Sequence, residues 1–372
     1  MPSRAEQHRA ELHRAKQHRA KQHRAKQHRE ELHRAFAGQL EFAASPLYCA
    51  LSPVVAGHDR LLDLAARGRP GQYPAFLFFG AVHQLLLAGA DHPLAEFYPS
   101  VAGQDARSPA QAGPALVSFC AAYETELTEI ISTRLVQTNQ VQRALGLRLG
   151  LSLIAPDLAG PVDVIEVGAS AGLTLRFDRY GYRVGGRRFG DPASPVQLTA
   201  EHFGPGPTPD LNALPAVASV TGVDLEPVDA GDPEGRRWLE ALVWPENQDQ
   251  RTLLSAALAL VAADPPVIHR GDAIDVLPGL AATLPAGRPR VVFHSATRLH
   301  VPASRREAFD NAILSAGETG PLWWLSVEDS PDPDPRPAPA RPGAALRLRE
   351  PGGATRTAAV VNGHLRWIET LL

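Results

Sequence analysis

The sequence predicts an α/β protein in which an N-terminal helical domain precedes a doubly wound, mostly parallel sheet. Between about Gly38 and Gly150, apolar residues recur at helical spacing, whereas after Gly160 short apolar runs alternate with helical or turn-rich stretches. The chain has 372 residues, which is more than single hydrophobic cores usually hold. We therefore expect two domains, a helical one at 38–157 and an α/β one at 158–372, after a low-complexity extension at 1–37.

The extension is a basic five-residue repeat of Gln-His-Arg or Leu-His-Arg. Good helix formers without Gly or Pro predict a helix. The part up to Ala35 carries seven Arg and three Lys against four Glu, a charge that suits nucleic acid or an anionic surface. A solvated extension is the other interpretation, and we expect no nucleic-acid partner elsewhere in the chain. Because successive repeat histidines are rotated by about 140° on a helix, the repeat predicts no zinc site.

Composition excludes several classes of protein. The two cysteines, Cys49 and Cys120, are too few and too far apart for a disulfide scaffold or a CxxC site, so no metal site is predicted. No stretch approaches the roughly 18 uninterrupted apolar residues of a membrane helix. The N-terminus lacks the pattern of a secretory leader, so we expect a cytoplasmic protein that does not contact membranes. No pattern in the sequence specifies an oligomeric state.

The helical domain is expected to hold four to six helices, with Ser45 and Pro46 at the start of one of them. Two apolar stretches, Tyr73–Leu87 and Ala115–Ile131, show the helical period clearly. The polar run at 136–141 interrupts this background and contains Asn139, and Arg143 follows it. Both residues are candidate substrate contacts, and helix caps are the alternative interpretation.

Short apolar runs predict the strands of the α/β domain. The five runs expected to form the parallel sheet are Val162–Val167, Ala218–Val223, Val267–His269, Arg290–His294 and Leu322–Val327. Ala345–Leu348 and Ala358–Val361 are expected to close the sheet as an antiparallel pair. The Pro-rich run Ser330–Pro337 cannot continue a strand or a helix and is predicted to be a surface loop.

The first strand runs directly into a turn of small residues, Glu166-x-Gly168-x-Ser170-x-Gly172. Such a turn lets backbone amides approach a ligand closely, and a helix starting at Ala171 would present unpaired N–H groups to it. This is the pattern of a Rossmann-like nucleotide site. A tight strand-to-helix turn without a ligand gives the same pattern.

Three polar residues follow later strands in the order that a doubly wound nucleotide site requires. Asp224 ends the second strand, where a carboxylate accepts the hydroxyl protons of a ribose. Asp272 ends the third strand and is positioned for the amine of an adenine. His294 ends the fourth strand and is a candidate general base, because an imidazole titrates near neutral pH. Each acid is also a plausible cap, and His294 a plausible packed core residue.

These residues together resemble the class I methyltransferases that use S-adenosylmethionine (SAM), over about 161–327. The resemblance implies a Rossmann-like, methyltransferase-type sheet that binds SAM as cofactor through Glu166, Gly168, Ser170 and Gly172. It departs from the family pattern in one respect, because about fifty residues separate Gly172 from Asp224 where the family has about twenty. Asp191 lies at the shorter spacing and is the alternative ribose ligand.

An insertion near 174–217 accounts for the longer spacing. Residues 176–186 alternate polar and aromatic side chains, as expected of a hairpin that covers a site. The candidate lid or substrate residues are Arg176, Asp178, Tyr180 and, further along the chain, Trp244.

The stretch from Ser45 to His364 is also similar to a family of uncharacterised bacterial proteins, common in actinobacteria and known only as a domain of unknown function. The segments that carry this similarity are Phe97–Ser100, Val136–Asn139, Glu166–Leu173, Phe177–Tyr180, Gly190–Pro192, Val243–Pro245 and Phe293–Ser295. The similarity implies no activity, so the expected function depends on the methyltransferase resemblance.

We therefore expect a SAM-dependent methyltransferase that acts on a small or medium polar molecule. A non-catalytic nucleotide-binding or protein-interaction module with the same fold is the first alternative, and an NAD-dependent oxidoreductase is the second. The chain has no Gly-x-Ser-x-Gly elbow, no HExxH and no GxxxxGK[ST] loop. Serine hydrolases of that type, zinc proteases and P-loop NTPases are therefore disfavoured.

Overall fold

The computed structural model describes residues 29–38, 44–137, 140–158, 160–204, 206–328 and 343–371. The repeat up to residue 28, Asn139 and the Pro-rich run lie outside these ranges. The chain divides into two compact units, Met1–Gln137 with Arg237–Gln248, and Thr138–Arg236 with Asp249–Leu372. Residues 140–157, which the sequence analysis groups with the helical domain, belong to the second unit in this division. No helix within the described ranges is long and apolar enough to cross a membrane.

The first unit is helical. Its helices are α1 (29–37), α2 (Pro46–Ala56), α3 (Asp59–Ala65), α4 (Pro74–Leu87), α5 (Pro99–Ala102), α6 (Gly113–Ala122) and α7 (Glu124–Thr133). Helix α9 (Pro233–Ala241) enters this unit from Arg237 onward. The start of α2 has the predicted form, since Pro46 occupies its first turn and the Ser45 hydroxyl accepts the Tyr48 N–H at 3.2 Å.

Aromatic rings fill the core of this unit. Tyr48 stacks on Phe79 with ring centroids 4.5 Å apart, and Phe36 meets the edge of the Phe79 ring at 5.8 Å. Leu32 and Phe36, on α1, are almost fully buried. The last residues of the predicted basic extension are therefore part of the core, and burial of their apolar side chains anchors α1.

The second unit contains an eleven-stranded, mixed but mostly parallel sheet in the order β3-β2-β4-β11-β10-β9-β8-β7-β1-β5-β6. The strands are β1 (Val162–Val167), β2 (Gly181–Val184), β3 (Arg187–Gly190), β4 (Gln197–Phe203), β5 (Val217–Asp224), β6 (Val267–Arg270), β7 (Arg290–Ser295), β8 (Leu322–Glu328), β9 (Ala344–Arg349), β10 (Thr355–Val361) and β11 (Trp367–Thr370). Its helices are α8 (Ala144–Ile154), α10 (Gln248–Ala263), α11 (Ala273–Thr283) and α12 (Arg306–Ser315).

Five neighbouring strands of this sheet are parallel, in the order β6-β5-β1-β7-β8. All five were predicted from their apolar runs, and every residue of β1 is buried. The chain leaves β1 toward β5 on one side and later returns to β7 on its other side. The carboxyl end of β1 is therefore the point at which the strand order reverses, where open α/β sheets bind their ligands.

The remaining strands extend the sheet beyond β8. Strands β9 and β10 form the expected antiparallel pair, and β11 continues it. A hairpin of β2 and β3 lies in the predicted insertion, and its two-residue turn is Gly185–Gly186. Both glycines have positive φ, +54° and +82°, as a type I′ hairpin turn requires.

The structure corrects the predicted helix after the small-residue turn. No α-helix begins at Ala171, and the chain forms a 3₁₀ helix at Thr174–Arg179 that is distorted at Arg176 before entering β2 at Gly181. The few residues between Gly172 and β2 leave little room for an α-helix, and the Arg176 Nε–H donates to the Asp264 carbonyl at 2.7 Å. The N–H groups of an α-helix terminus are therefore not part of this turn.

Helices cover the parallel strands. Apolar side chains of α11 and α12 pack with β1, β5 and β7 in one cluster that includes Leu277, Ile313 and Val292. Helix α8 contacts β8 and β9. Its buried Arg148 donates hydrogen bonds to the carbonyls of Leu211 and Phe177, at 2.9 and 3.3 Å, which connects α8 to the insertion.

Candidate functional site

The small-residue turn at the end of β1 is held in the left-handed backbone region. Gly168, Ser170 and Gly172 have φ values of +80°, +50° and +76°. A Cβ added at Gly168 would lie only 2.4 Å from the Thr297 Oγ1, so this glycine is required by its neighbour as well as by its φ. The Thr297 hydroxyl in turn donates to the carbonyl of Val167 or Ser295, at 3.1 and 3.2 Å.

Asp224 lies directly against this turn. Its Oδ2 accepts the Ser170 N–H at 2.8 Å, and its Oδ1 accepts the Glu226 N–H at 2.8 Å. Burial, the largest cause, raises the pKa of Asp224, and the two backbone N–H groups partly oppose that rise. Each carboxylate oxygen has capacity for a second donor, so Asp224 can hold the turn and a ligand hydroxyl together.

Asp191, the alternative ribose ligand, has a different setting. It follows β3, and its Oδ1 accepts the Ala193 N–H at 2.8 Å in a local turn of the chain. Its side chain is exposed. Of the two acids, Asp224 is therefore the one that contacts the Gly168–Gly172 turn.

Asp272 follows β6 and caps α11. Its Oδ1 accepts the Ile274 N–H at 3.0 Å, and its Oδ2 pairs with Arg305 at 2.7 Å. These contacts explain why an aspartate is present here even if no ligand binds, because side-chain caps of this kind stabilise helix starts. An adenine contact would have to use the remaining lone pairs or displace Arg305.

Glu166 is buried beneath the turn. Burial, the largest cause, raises its pKa well above the usual range. A hydrogen bond with the Thr174 side chain and the Arg143 charge oppose the rise, and the Asp224 charge adds to it. Its Oε2 has no hydrogen-bond partner among the residues that the structure describes. This oxygen is therefore a candidate contact for a polar group of a ligand.

The raised pKa of Glu166 leads to a testable pH dependence. A carboxyl whose pKa is raised on folding stabilises the protein below its unfolded pKa, near 4.5, and loses that contribution as pH rises through the folded pKa. We therefore expect Glu166→Gln to gain stability relative to the wild type as pH increases from about 5 to 8. Urea unfolding at a series of pH values measures this difference. A difference that stays constant across the series would contradict the expectation.

His294 is the penultimate residue of β7, and it is paired with a residue that was not among the predicted candidates. The His294 Nδ1 lies 2.7 Å from the Glu328 Oε1 at the end of β8. The same oxygen accepts the N–H groups of Thr297 and Arg298, at 2.9 and 3.0 Å. Burial alone would raise the pKa of Glu328, but these donors and the imidazole lower it below the usual value. Glu328 is therefore held as a carboxylate.

Arg143 and His300 complete the polar cluster at this edge of the sheet. An Arg143 guanidinium N–H points toward the Ser295 carbonyl at 3.5 Å, and the Arg143 charge acts on both Glu166 and His300. Burial, the largest cause, lowers the pKa of His300, while Glu328 opposes the change and Arg143 reinforces it. Carboxylates, imidazoles and a guanidinium thus converge at the carboxyl ends of β1, β7 and β8, as they do in many functional sites.

The candidate lid residues have local partners. Arg176 is buried and bonds the Asp264 carbonyl, and the buried Tyr180 donates its hydroxyl proton to the Leu173 carbonyl at 2.7 Å. Asp178 is exposed and lies 3.5 Å from the Arg179 Nε. Trp244 belongs to the other compact unit, and Asn139 lies outside the described ranges. Of the predicted set, the structure brings together Glu166, the turn, Asp224 and Arg143. His294 lies on the neighbouring strand, paired in register with Val167.

Three members of the cluster, Thr297, His300 and Glu328, were missed for different reasons. Thr297 and His300 lie in the loop after β7, which carries no pattern of its own. Glu328 ends a predicted strand, as Asp224 and His294 do, so its position at a strand end was a usable signal. Among the described residues, no group of three or more His, Cys, Asp or Glu could hold a metal ion.

A cavity of about 320 Å³ lies away from this cluster. It is lined by Pro321 and Leu322 at the start of β8, by Arg349 at the end of β9 and by Leu314 of α12. The parallel strands begin at that end of the sheet, whereas ligands of open α/β folds bind where the strands end. The cavity is therefore not part of the candidate site.

Fold and cluster together define an α/β protein with a polar site at the carboxyl ends of its central parallel strands. The chain belongs to the bacterial family described as "Uncharacterized protein conserved in bacteria (DUF2332)", whose family model matches residues 30–370. A comparison with curated proteins found no match.

Proposed function

We propose that the second unit is a Rossmann-like, SAM-dependent methyltransferase domain that acts on a small or medium polar molecule. The observation that carries the proposal is the contact between Asp224 and the left-handed turn at the end of β1, with Ser170 N–H and Asp224 Oδ2 2.8 Å apart. This contact lies at the carboxyl end of β1, where the strand order reverses and where open α/β sheets bind their ligands.

Four features of the site suit SAM. Asp224 would hold the ribose hydroxyls through its remaining lone pairs. The buried Glu166 Oε2, which lacks a partner among the described residues, would accept the ammonium group of the methionine part. The turn at Gly168, Ser170 and Gly172 would lie along the methionine, and Asp272 is the candidate adenine contact.

SAM supplies a methyl group activated by a positively charged sulfur. The chain has to bind it, exclude water and align the acceptor, and a base is needed only where the acceptor must lose a proton. Positioning is the main requirement, which agrees with a sequence that carries no motif of covalent catalysis.

A non-catalytic module with the same fold is the second candidate function. Three observations favour it: Thr297 fills the space above Gly168, Arg305 is paired with Asp272, and His294 is only 1% exposed. The two contacts explain Gly168 and Asp272 without a ligand, and the burial of His294 limits its access to one. A module would bind a nucleotide or a protein and transfer nothing.

Calorimetric titration of the full chain with SAM, S-adenosylhomocysteine and NAD tests the proposal. We expect SAM and S-adenosylhomocysteine to bind with similar affinity and NAD to bind much more weakly. Absence of binding by the first two at about 1 mM would rule out the proposed cofactor. Preferential binding of NAD would favour an oxidoreductase, and SAM binding without turnover on a panel of metabolites would favour the module.

A further inference from the structure

The His294–Glu328 pair has a defined direction of hydrogen bonding. Glu328 is a carboxylate with a lowered pKa, and its Oε1 accepts two backbone N–H groups in addition to the imidazole. A carboxylate only accepts hydrogen bonds, so the His294 Nδ1 at 2.7 Å must be the protonated nitrogen. In the singly protonated form of the ring, Nε2 then carries the lone pair.

That Nε2 is buried and has no hydrogen-bond partner among the residues that the structure describes. The His294 ring is flanked by the rings of Phe309 and Trp324, at centroid distances of 5.5 and 5.9 Å. Leaving a polar atom unsatisfied in such surroundings costs about 1–3 kcal/mol. A base requires a nitrogen that is not already occupied by a hydrogen-bond partner, and Nε2 meets this requirement among the described residues.

We propose that His294 accepts a proton through Nε2 from a hydroxyl group of the substrate, and that Glu328 is the positioning residue that fixes its tautomer. This inference rests on the proposed methyl transfer and names its acceptor class, an uncharged molecule with a phenolic or alcoholic hydroxyl. The O–H bond breaks, the proton passes to Nε2, and the electron pair stays on the oxygen. That oxygen would take the methyl group from SAM, whose methyl carbon–sulfur bond would break with its electron pair going to sulfur, so that S-adenosylhomocysteine leaves. The imidazolium formed is stabilised by the Glu328 carboxylate, and the flanking aromatic rings favour an acceptor without charge.

The test uses the full chain labelled with ¹⁵N-histidine and titrated with phenol, with anisole as the matched probe that lacks the hydroxyl proton. We expect the wild type to show a protonated Nδ1 and a bare Nε2, and phenol to shift the His294 Nε2 resonance upfield while anisole leaves it unchanged. Equal effects of the two probes, or a protonated Nε2 in the free protein at pH 8, would overturn the proposal.

Two variants distinguish a positioning role of Glu328 from a purely structural role. Glu328→Gln retains an oxygen acceptor for Nδ1–H, so it should keep both the tautomer and the phenol response. Glu328→Ala should mix the tautomers and weaken phenol binding about tenfold, the value of one hydrogen bond. An unchanged response in a folded Glu328→Ala protein would contradict the positioning role. None of these measurements uses SAM. The result for the His294–Glu328 pair therefore holds whether or not SAM binds in the cofactor titration.

Discussion

Gly168→Ala is expected to lower the free energy of unfolding by about 3–5 kcal/mol. A non-glycine residue at φ +80° costs about 1–3 kcal/mol, and forcing a methyl group into a packed neighbour adds about 1–3 kcal/mol. The neighbour is the Thr297 side chain, whose Oγ1 would lie 2.4 Å from the new Cβ. Urea unfolding of the variant and the wild type measures the loss.

Two further variants separate the two causes. Gly186 has nearly the same φ, +82°, with no atom within 4 Å of an added Cβ, so Gly186→Ala should cost only about 1–2 kcal/mol. Adding Thr297→Ala to Gly168→Ala removes the Oγ1 and should recover part of the loss. If Gly168→Ala and Gly186→Ala lower the free energy of unfolding by the same amount, the close contact with Thr297 does not constrain the turn.

Asp224→Ala is expected to weaken SAM binding more than tenfold, at least the value of one charge-assisted hydrogen bond of about 1.5–3 kcal/mol. The substitution would remove the carboxylate's contacts to the ribose. It would also remove the oxygen that now accepts the Ser170 N–H at 2.8 Å. Both effects act at the same turn. Calorimetric titration of the variant with SAM measures the change.

Asp191→Ala is the matched control, because Asp191 is the other acid at a plausible spacing and its side chain is exposed. Its substitution should leave SAM affinity unchanged. The reverse result, with Asp191→Ala weakening binding and Asp224→Ala leaving it intact, would assign the ribose to Asp191. Circular dichroism and unfolding of both variants establish that a loss of affinity is not a loss of fold.

Much of the sheet was predictable from local pattern. The parallel strands β1, β5, β6, β7 and β8 coincide with the apolar runs. The runs of β1 and β7 are buried along nearly their whole length, and a strand buried on both faces needs a continuous apolar segment. The left-handed turn was visible as Gly168 and Gly172 directly after such a run. Within β2 and β3, alternation of polar and aromatic residues indicated the hairpin.

The helix expected after Gly172 was wrong for a reason that sequence pattern does not contain. Its residues are compatible with an α-helix, but they form a short 3₁₀ helix that leads into β2. The Asp264 carbonyl, far away in the chain, holds the Arg176 side chain there. Tertiary contacts of this kind override local propensity. Strands β4 and β11 were not predicted for the same reason, because their pairing joins residues near 200 to residues near 370.

The sequence by itself determined the two kinds of unit, the parallel strands and the turn that ends β1. Apolar periodicity indicates which residues are buried, and glycine indicates where the backbone adopts a left-handed conformation. Only the tertiary structure decided which side chains meet. It brought Asp224 to the Ser170 N–H, Glu328 to His294 and Thr297 to Gly168, pairs separated by between 34 and 129 positions. Contacts over such distances depend on strand order, and no local pattern encodes the order in which strands pair.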